Sequence, residues 1–81
     1  MRYSTTQAAR RAGISYRMLD HWVRRGVLTP AVPANGTGTR RQFSRSDVEL
    51  LVFLATLRRE GYEVSALRRI AEERQSSLAA A

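Results

Sequence analysis

The stretch Gly13-Ile14-Ser15-Tyr16-Arg17-Met18-Leu19-Asp20-His21-Trp22-Val23-Arg24-Arg25-Gly26 decides how the rest of the chain is read. A glycine bounds it at each end, where helices commonly stop in a left-handed conformation. Ser15 is an N-cap residue by type, since its hydroxyl can accept a backbone N–H of the first turn. Leu19, Trp22 and Val23 fall at i, i+3 and i+4, the inward stripe of an amphipathic helix. With that stripe turned inward, the outward face holds Tyr16, Arg17, Asp20 and Arg24, and His21 adjoins the tryptophan.

Working back towards Met1, Ser4-Thr5-Thr6-Gln7 has capping-box spacing and opens an earlier helix. Ala8, Ala9 and Ala12 give that helix a slim apolar face which permits close approach of a neighbour. About four residues separate it from the helix that Ser15 opens, the tight connection of a helix-turn-helix.

Working forward, Val27-Leu28 is short and apolar, and Pro30 and Pro33 break regular structure. Asn35-Gly36-Thr37-Gly38-Thr39 supplies the positive φ angles of a hairpin, so Val32 to Phe43 reads as two short strands around a tip. Ser44 or Ser46 caps a third helix, with Asp47 in its first turn. Its stripe is Val48, Leu51, Val52 and Ala55, widened by Leu50, Leu54 and Leu57, the broadest apolar face in the chain. Gly61 ends it, and Val64, Leu67, Ile70 and Ala71 mark a fourth helix. The expected architecture is mainly α: four helices with a small β-hairpin wing between the second and third, one domain over residues 1–75 and a flexible tail over 76–81.

The chain of 81 residues carries 14 arginines, no lysine and 7 carboxylates, a formal net charge of +7. Such an excess repels itself and calls for a polyanionic partner. Cysteine is absent and histidine occurs once, so thiolate and zinc sites have no ligand set. The longest apolar run, Leu50 to Ala55, is too short to span a bilayer, and Met1 begins no visible secretory signal. A cytoplasmic, nucleoid-associated protein is the expectation, with no cofactor, metal or membrane partner. No nucleophile with a base, carboxylate pair or phosphate-cradling loop supports an enzyme.

Double-stranded DNA fits the charge and the tight helix pair. Ser15, Tyr16 and Arg17 lie at the N-terminus of the second helix, the end that reading helices point at base edges. Arg17 can pair with guanine O6 and N7, worth roughly 1–3 kcal/mol of discrimination. Arg24 and Arg25, in the last turn, suit the helix dipole and phosphates alike, and His21 is a further candidate donor. In the glycine-rich segment Thr37, Thr39, Arg40 and Arg41 suit contact with the phosphate backbone or minor groove. Trp22 and Phe43 read as core anchors. Asp20 repels phosphate; it either accepts from a cytosine amino group or holds Arg17 or Arg24, and the intramolecular role is preferred. Arg58, Arg59, Arg68 and Arg69 read as solvated charges, paired in part with Glu60, Glu63, Glu72 and Glu73.

Gly13 to Trp22, followed by Gly26-Val27-Leu28-Thr29-Pro30, Arg41-Gln42-Phe43-Ser44, Asp47-Val48, Gly61 and Leu67-Arg68-Arg69-Ile70, resembles the DNA-binding domain of the MerR family. The resemblance runs from Tyr3 to about Glu73. It implies a winged helix with base contacts from Tyr16 and Arg17, a phosphate contact from Arg41, and dimers that distort promoter DNA. Asp20 and His21 stand where the family often has arginine and tyrosine. With so few residues after Ile70, neither the family's dimerising heptads nor an effector domain is expected in these 81 residues. Phage and mobile-element excisionases are similar in fold and length. The leading expectation is therefore a transcriptional regulator, with RNA polymerase as a partner. The alternative is an excisionase that bends DNA beside an integrase. Either would self-associate on DNA, side by side or as a dimer. Asp20 also motivates a protein-interaction module that has lost DNA binding.

Overall fold

The computed structural model describes residues 2–32 and 41–80, with side chains as far as Gln75. Its elements in chain order are β1 (Arg2–Tyr3), α1 (Thr5–Ala12), α2 (Tyr16–Arg24), β2 (Phe43–Ser44), α3 (Arg45–Arg59) and α4 (Val64–Ala80). Among the described residues it is a mainly helical winged helix-turn-helix, as the sequence predicts.

The helix starts follow from local chemistry. Ser4 and Gln7 form a complete capping box on α1, and Ser44 and Asp47 form another on α3. Ser15 Oγ accepts the Met18 N–H at 3.0 Å and so caps α2. The stops share one bond pattern. At the end of α2, Gly26 N–H donates to Val23 O and Val27 N–H to Trp22 O, at 3.1 and 2.9 Å. Gly26 has φ 76°, and the paired bonds define a Schellman stop, with Trp22 and Val27 both buried beside it. Gly13, at φ 72°, ends α1 with the equivalent bonds to Arg10 O and Ala9 O from its own N–H and that of Ile14. The connection between α1 and α2 is thus held by hydrogen bonds at both of its ends.

The core gathers around Trp22, Phe43, Leu19, Leu51, Leu54 and Leu67, all under 2% exposed. Ala8, Ala9 and Ala12 are buried and bring α1 against α3 and α2, while α4 packs on α3. Trp22 and Phe43 are core anchors, as expected. Val52 departs from the expected stripe and is 45% exposed. The buried arc of α3 runs through Leu50, Leu51 and Leu54, leaving Val52 beyond its edge.

The sheet adds a pairing that the sequence does not signal. The strand at Phe43 pairs antiparallel with Arg2–Tyr3, in register Arg2 with Ser44 and Tyr3 with Phe43. A two-residue strand at the N-terminus has no periodicity to reveal it, and its partner lies some forty residues away. Of the predicted wing, the base is present: Val32 and Gln42 exchange N–H···O bonds of 3.0 and 2.9 Å. The tip, including Thr37, Thr39 and Arg40, lies outside the described residues. Helix α4 runs on to Ala80, through the segment that reads from sequence as a tail.

Candidate nucleic-acid interface

Helix α2 presents the predicted face. Its cap and stop fix its two ends, and burial of Leu19 and Trp22 fixes its rotation. Tyr16 is therefore 55% exposed, and Arg17, His21, Arg24 and Arg25 are exposed as well. Ser15 is exposed with its hydroxyl oxygen engaged as the cap, and its hydroxyl proton remains a donor. No hydrogen bond or ion pair ties Arg17 to another described residue.

Asp20 lies one turn beyond Tyr16 on this face. Its Oδ2 accepts from Arg24 Nε at 2.8 Å, and its Oδ1 accepts from Arg41 Nη1 at 2.7 Å. The intramolecular reading of Asp20 holds for Arg24; Arg17 takes no part, and the second partner is Arg41. These two guanidinium groups, Arg41 first, hold the Asp20 carboxyl below the usual aspartate range. The Arg41 side chain is 14% exposed, against 73% for Arg24. The stem of the wing is thereby tied to the outward face of α2.

A second tie reaches the stem from α3. Asp47 Oδ2 accepts from Ser44 N–H within the capping box and also from Ala31 N–H, each at 2.9 Å. One carboxylate thus fixes both the start of α3 and the entry to the wing.

Sequence reasoning missed the neighbourhood of Arg68. Arg24, Arg25, Val64, Ser65 and Arg68 line an open cleft of about 500 Å³ where the end of α2 meets the start of α4. Arg68 also pairs with Glu72 at 3.3 Å, one of the pairings expected. Arg59 is not simply solvated: its Nη2 donates to Ala12 O at 3.3 Å and Gly13 O at 3.5 Å, at the end of α1. No local signal marks either position, because both depend on how helices far apart in sequence meet. Among the described residues no group of three or more His, Cys, Asp or Glu could hold a metal ion. No helix among them is long and apolar enough to cross a membrane.

Two capped helices joined by a tight turn, an exposed basic face and a wing stem bonded to that face define a winged helix-turn-helix. Comparison with known proteins narrows the class. The sequence profile of the MerR HTH family regulatory proteins matches residues 3–74, and the chain belongs to this family. It is 33% identical over 67 residues to uncharacterized HTH-type transcriptional regulators of Mycobacterium bovis and Mycobacterium tuberculosis. That match takes in 82% of the chain and 30% of those proteins, so the chain spans under a third of their length. Among solved structures it is similar to HiNmlR, a MerR family regulator lacking the sensor domain and bound to promoter DNA. The TM-score is 0.71 at 33% identity, over 89% of this chain and 56% of that one. A MerR family transcriptional regulator from Bacillus cereus shares the fold, with TM-score 0.72 at 16% identity over 86% of this chain and 51% of that one.

Proposed function

We propose that the chain binds double-stranded DNA sequence-specifically and regulates transcription. The N-terminal end of α2 lies in the major groove and the wing lies on the backbone. Tyr16 and Arg17 read base edges, with Ser15 beside them. His21, Arg24 and Arg25 bind phosphates along the helix, and Arg40, Thr37 and Thr39 do so from the wing, while Arg41 offers phosphate only the N–H groups that its bond to Asp20 leaves over. Residues 1–75 form the binding domain, and the last turn of α4 extends beyond it. The protein acts in the cytoplasm on the nucleoid, self-associates on its sites and works with RNA polymerase.

The observation that carries this reading is the 2.7 Å bond between Arg41 and Asp20. It sets the wing stem on the same side of the molecule as the exposed Tyr16 and Arg17, as simultaneous groove and backbone contact requires. The similarity to a regulator bound to promoter DNA supports it. Both curated relatives and solved neighbours are regulators, which favours this reading over the excisionase alternative.

Selection of duplexes from a random library by the full chain tests the proposal. The selected duplex should bind at least ~10³-fold more tightly than a scrambled duplex of equal length. Equal affinity for the two refutes sequence-specific reading.

A further inference from the structure

Asp20 is a carboxylate on a face proposed to meet a polyanion. On Coulomb grounds alone it weakens binding to any duplex. Its surroundings point to a second effect. Four ion pairs join described residues, and three of them are i,i+4 pairs within one helix. The fourth, Asp20 with Arg41, spans 21 residues of sequence and joins α2 to the wing stem. It is also the least exposed, with side chains 26% and 14% accessible, whereas the intrahelical pairs of Arg45 and Arg68 are more than half exposed on both sides. A pair this little exposed is screened by salt less than the exposed pairs are.

The same carboxylate orients Arg24 through Nε, which leaves both terminal nitrogens of that guanidinium free for a ligand. Asp47, by contrast, bonds to the wing entry at Ala31 and to Ser44, and to no residue of α2 among those described. Asp20 is the one carboxylate among the described residues that bonds to both proposed contact elements.

Nonspecific binding is made by charge and tolerates many arrangements of the two elements. Sequence-specific binding needs the reading helix and the wing in one relative position, and ordering them beforehand removes a cost of association. We infer that Asp20 is a positioning residue that sets specificity. Through its bonds to Arg41 and Arg24 it locks the wing stem to the reading helix, weakening binding to arbitrary duplex while strengthening binding to the cognate site. This rests on the DNA-reading role proposed above.

The test compares the full chain with its Asp20→Asn variant on two fluorescent duplexes, one selected by the wild-type chain and one scrambled, over a salt series. The variant raises the net charge of +7 by one. Its affinity for the scrambled duplex should hold or rise. Its affinity for the selected duplex should fall by about tenfold, so the ratio of the two collapses. Arg41→Gln should lower the same ratio, and the double variant should lose no more than the worse single variant. Asp20→Glu, which keeps the carboxylate, should recover part of the ratio. Thermal melts of each variant separate loss of fold from loss of positioning. In the free protein, amide exchange at Val32 and Gln42 should quicken in Asp20→Asn, whatever the DNA results. If Asp20→Asn tightens both duplexes by one factor, Asp20 is merely a repelling charge and the inference fails. Additive losses in the double variant also overturn it. A wild-type chain that binds both duplexes alike defeats the DNA-reading role itself, and the inference with it.

Discussion

Arg17 leaves the first turn of α2 without an ion-pair partner among the described residues, whereas Arg41 is largely covered and bonded to Asp20. A free guanidinium at a helix start is suited to a base edge; an anchored one is suited to holding a backbone segment in place. Replacing Arg17 with alanine should therefore weaken binding to the selected duplex by roughly 1–3 kcal/mol and leave scrambled duplex affected far less. Anisotropy titration measures both. Fold stability should stay within about 0.5 kcal/mol, as for other exposed substitutions. Asp20 gives a pH signature. Its folded-state pKa lies below the unfolded value, chiefly through Arg41 and then Arg24. Its contribution to stability is thus present above the unfolded value near 3.9 and is lost as pH falls through the lower folded value. The difference in Tm between the wild-type chain and Asp20→Asn should persist at neutral pH and close in acid below about pH 3.9. A difference that grows on acidification would contradict the ion-pair assignment.

At the scale of the element, α2 is held between a serine cap and a glycine stop. Gly26 has φ 76°, and an added Cβ would meet its nearest heavy atom, Arg68 Nε, at 3.6 Å, an ordinary contact. Gly26→Ala should therefore cost about 1–2 kcal/mol through backbone conformation alone. Gly13→Ala carries the same strain and also places its Cβ 2.8 Å from Arg59 Nη2. That guanidinium must shift and loosen its bonds to Ala12 O and Gly13 O. Gly13→Ala should be at least as destabilising as Gly26→Ala, and thermal melts should show a Tm loss of roughly 4–8 °C per kcal/mol for a domain of this size. The reverse order would mean that Arg59 contributes nothing at the end of α1.

For the molecule as a whole, charge is divided along the chain. Residues 1–46 hold nine arginines against Asp20 alone, and residues 47–81 hold five against six carboxylates. The reading head and wing stem are thus the basic half, and α3 with α4 supplies a near-neutral support. If four of these arginines meet phosphates, log K should fall with log salt at a slope of about −4. A slope near zero would remove the phosphate contacts from the proposal.

The parts legible in the chain itself are those made by neighbours in sequence. Ser4, Ser15 and Ser44 cap helices through backbone N–H groups three residues away. Gly13, Gly26 and Gly61 stop helices through carbonyls three and five residues earlier, or let the next residue do so, and Leu19 with Trp22 sets the rotation of α2. Local order therefore determined the helix-turn-helix and the outward Tyr16 and Arg17. Only tertiary structure decided what crosses between elements. The pairing of Arg2–Tyr3 with Phe43–Ser44, the bond from Ala31 to Asp47, the Arg59 bonds at the end of α1 and the clasp of Asp20 on Arg41 join residues 16 to 47 positions apart. A backbone or charged group carries no mark of which distant partner will reach it. That choice is made when Trp22, Phe43 and the leucines of α3 collapse into one core and bring the groups around it within bonding distance.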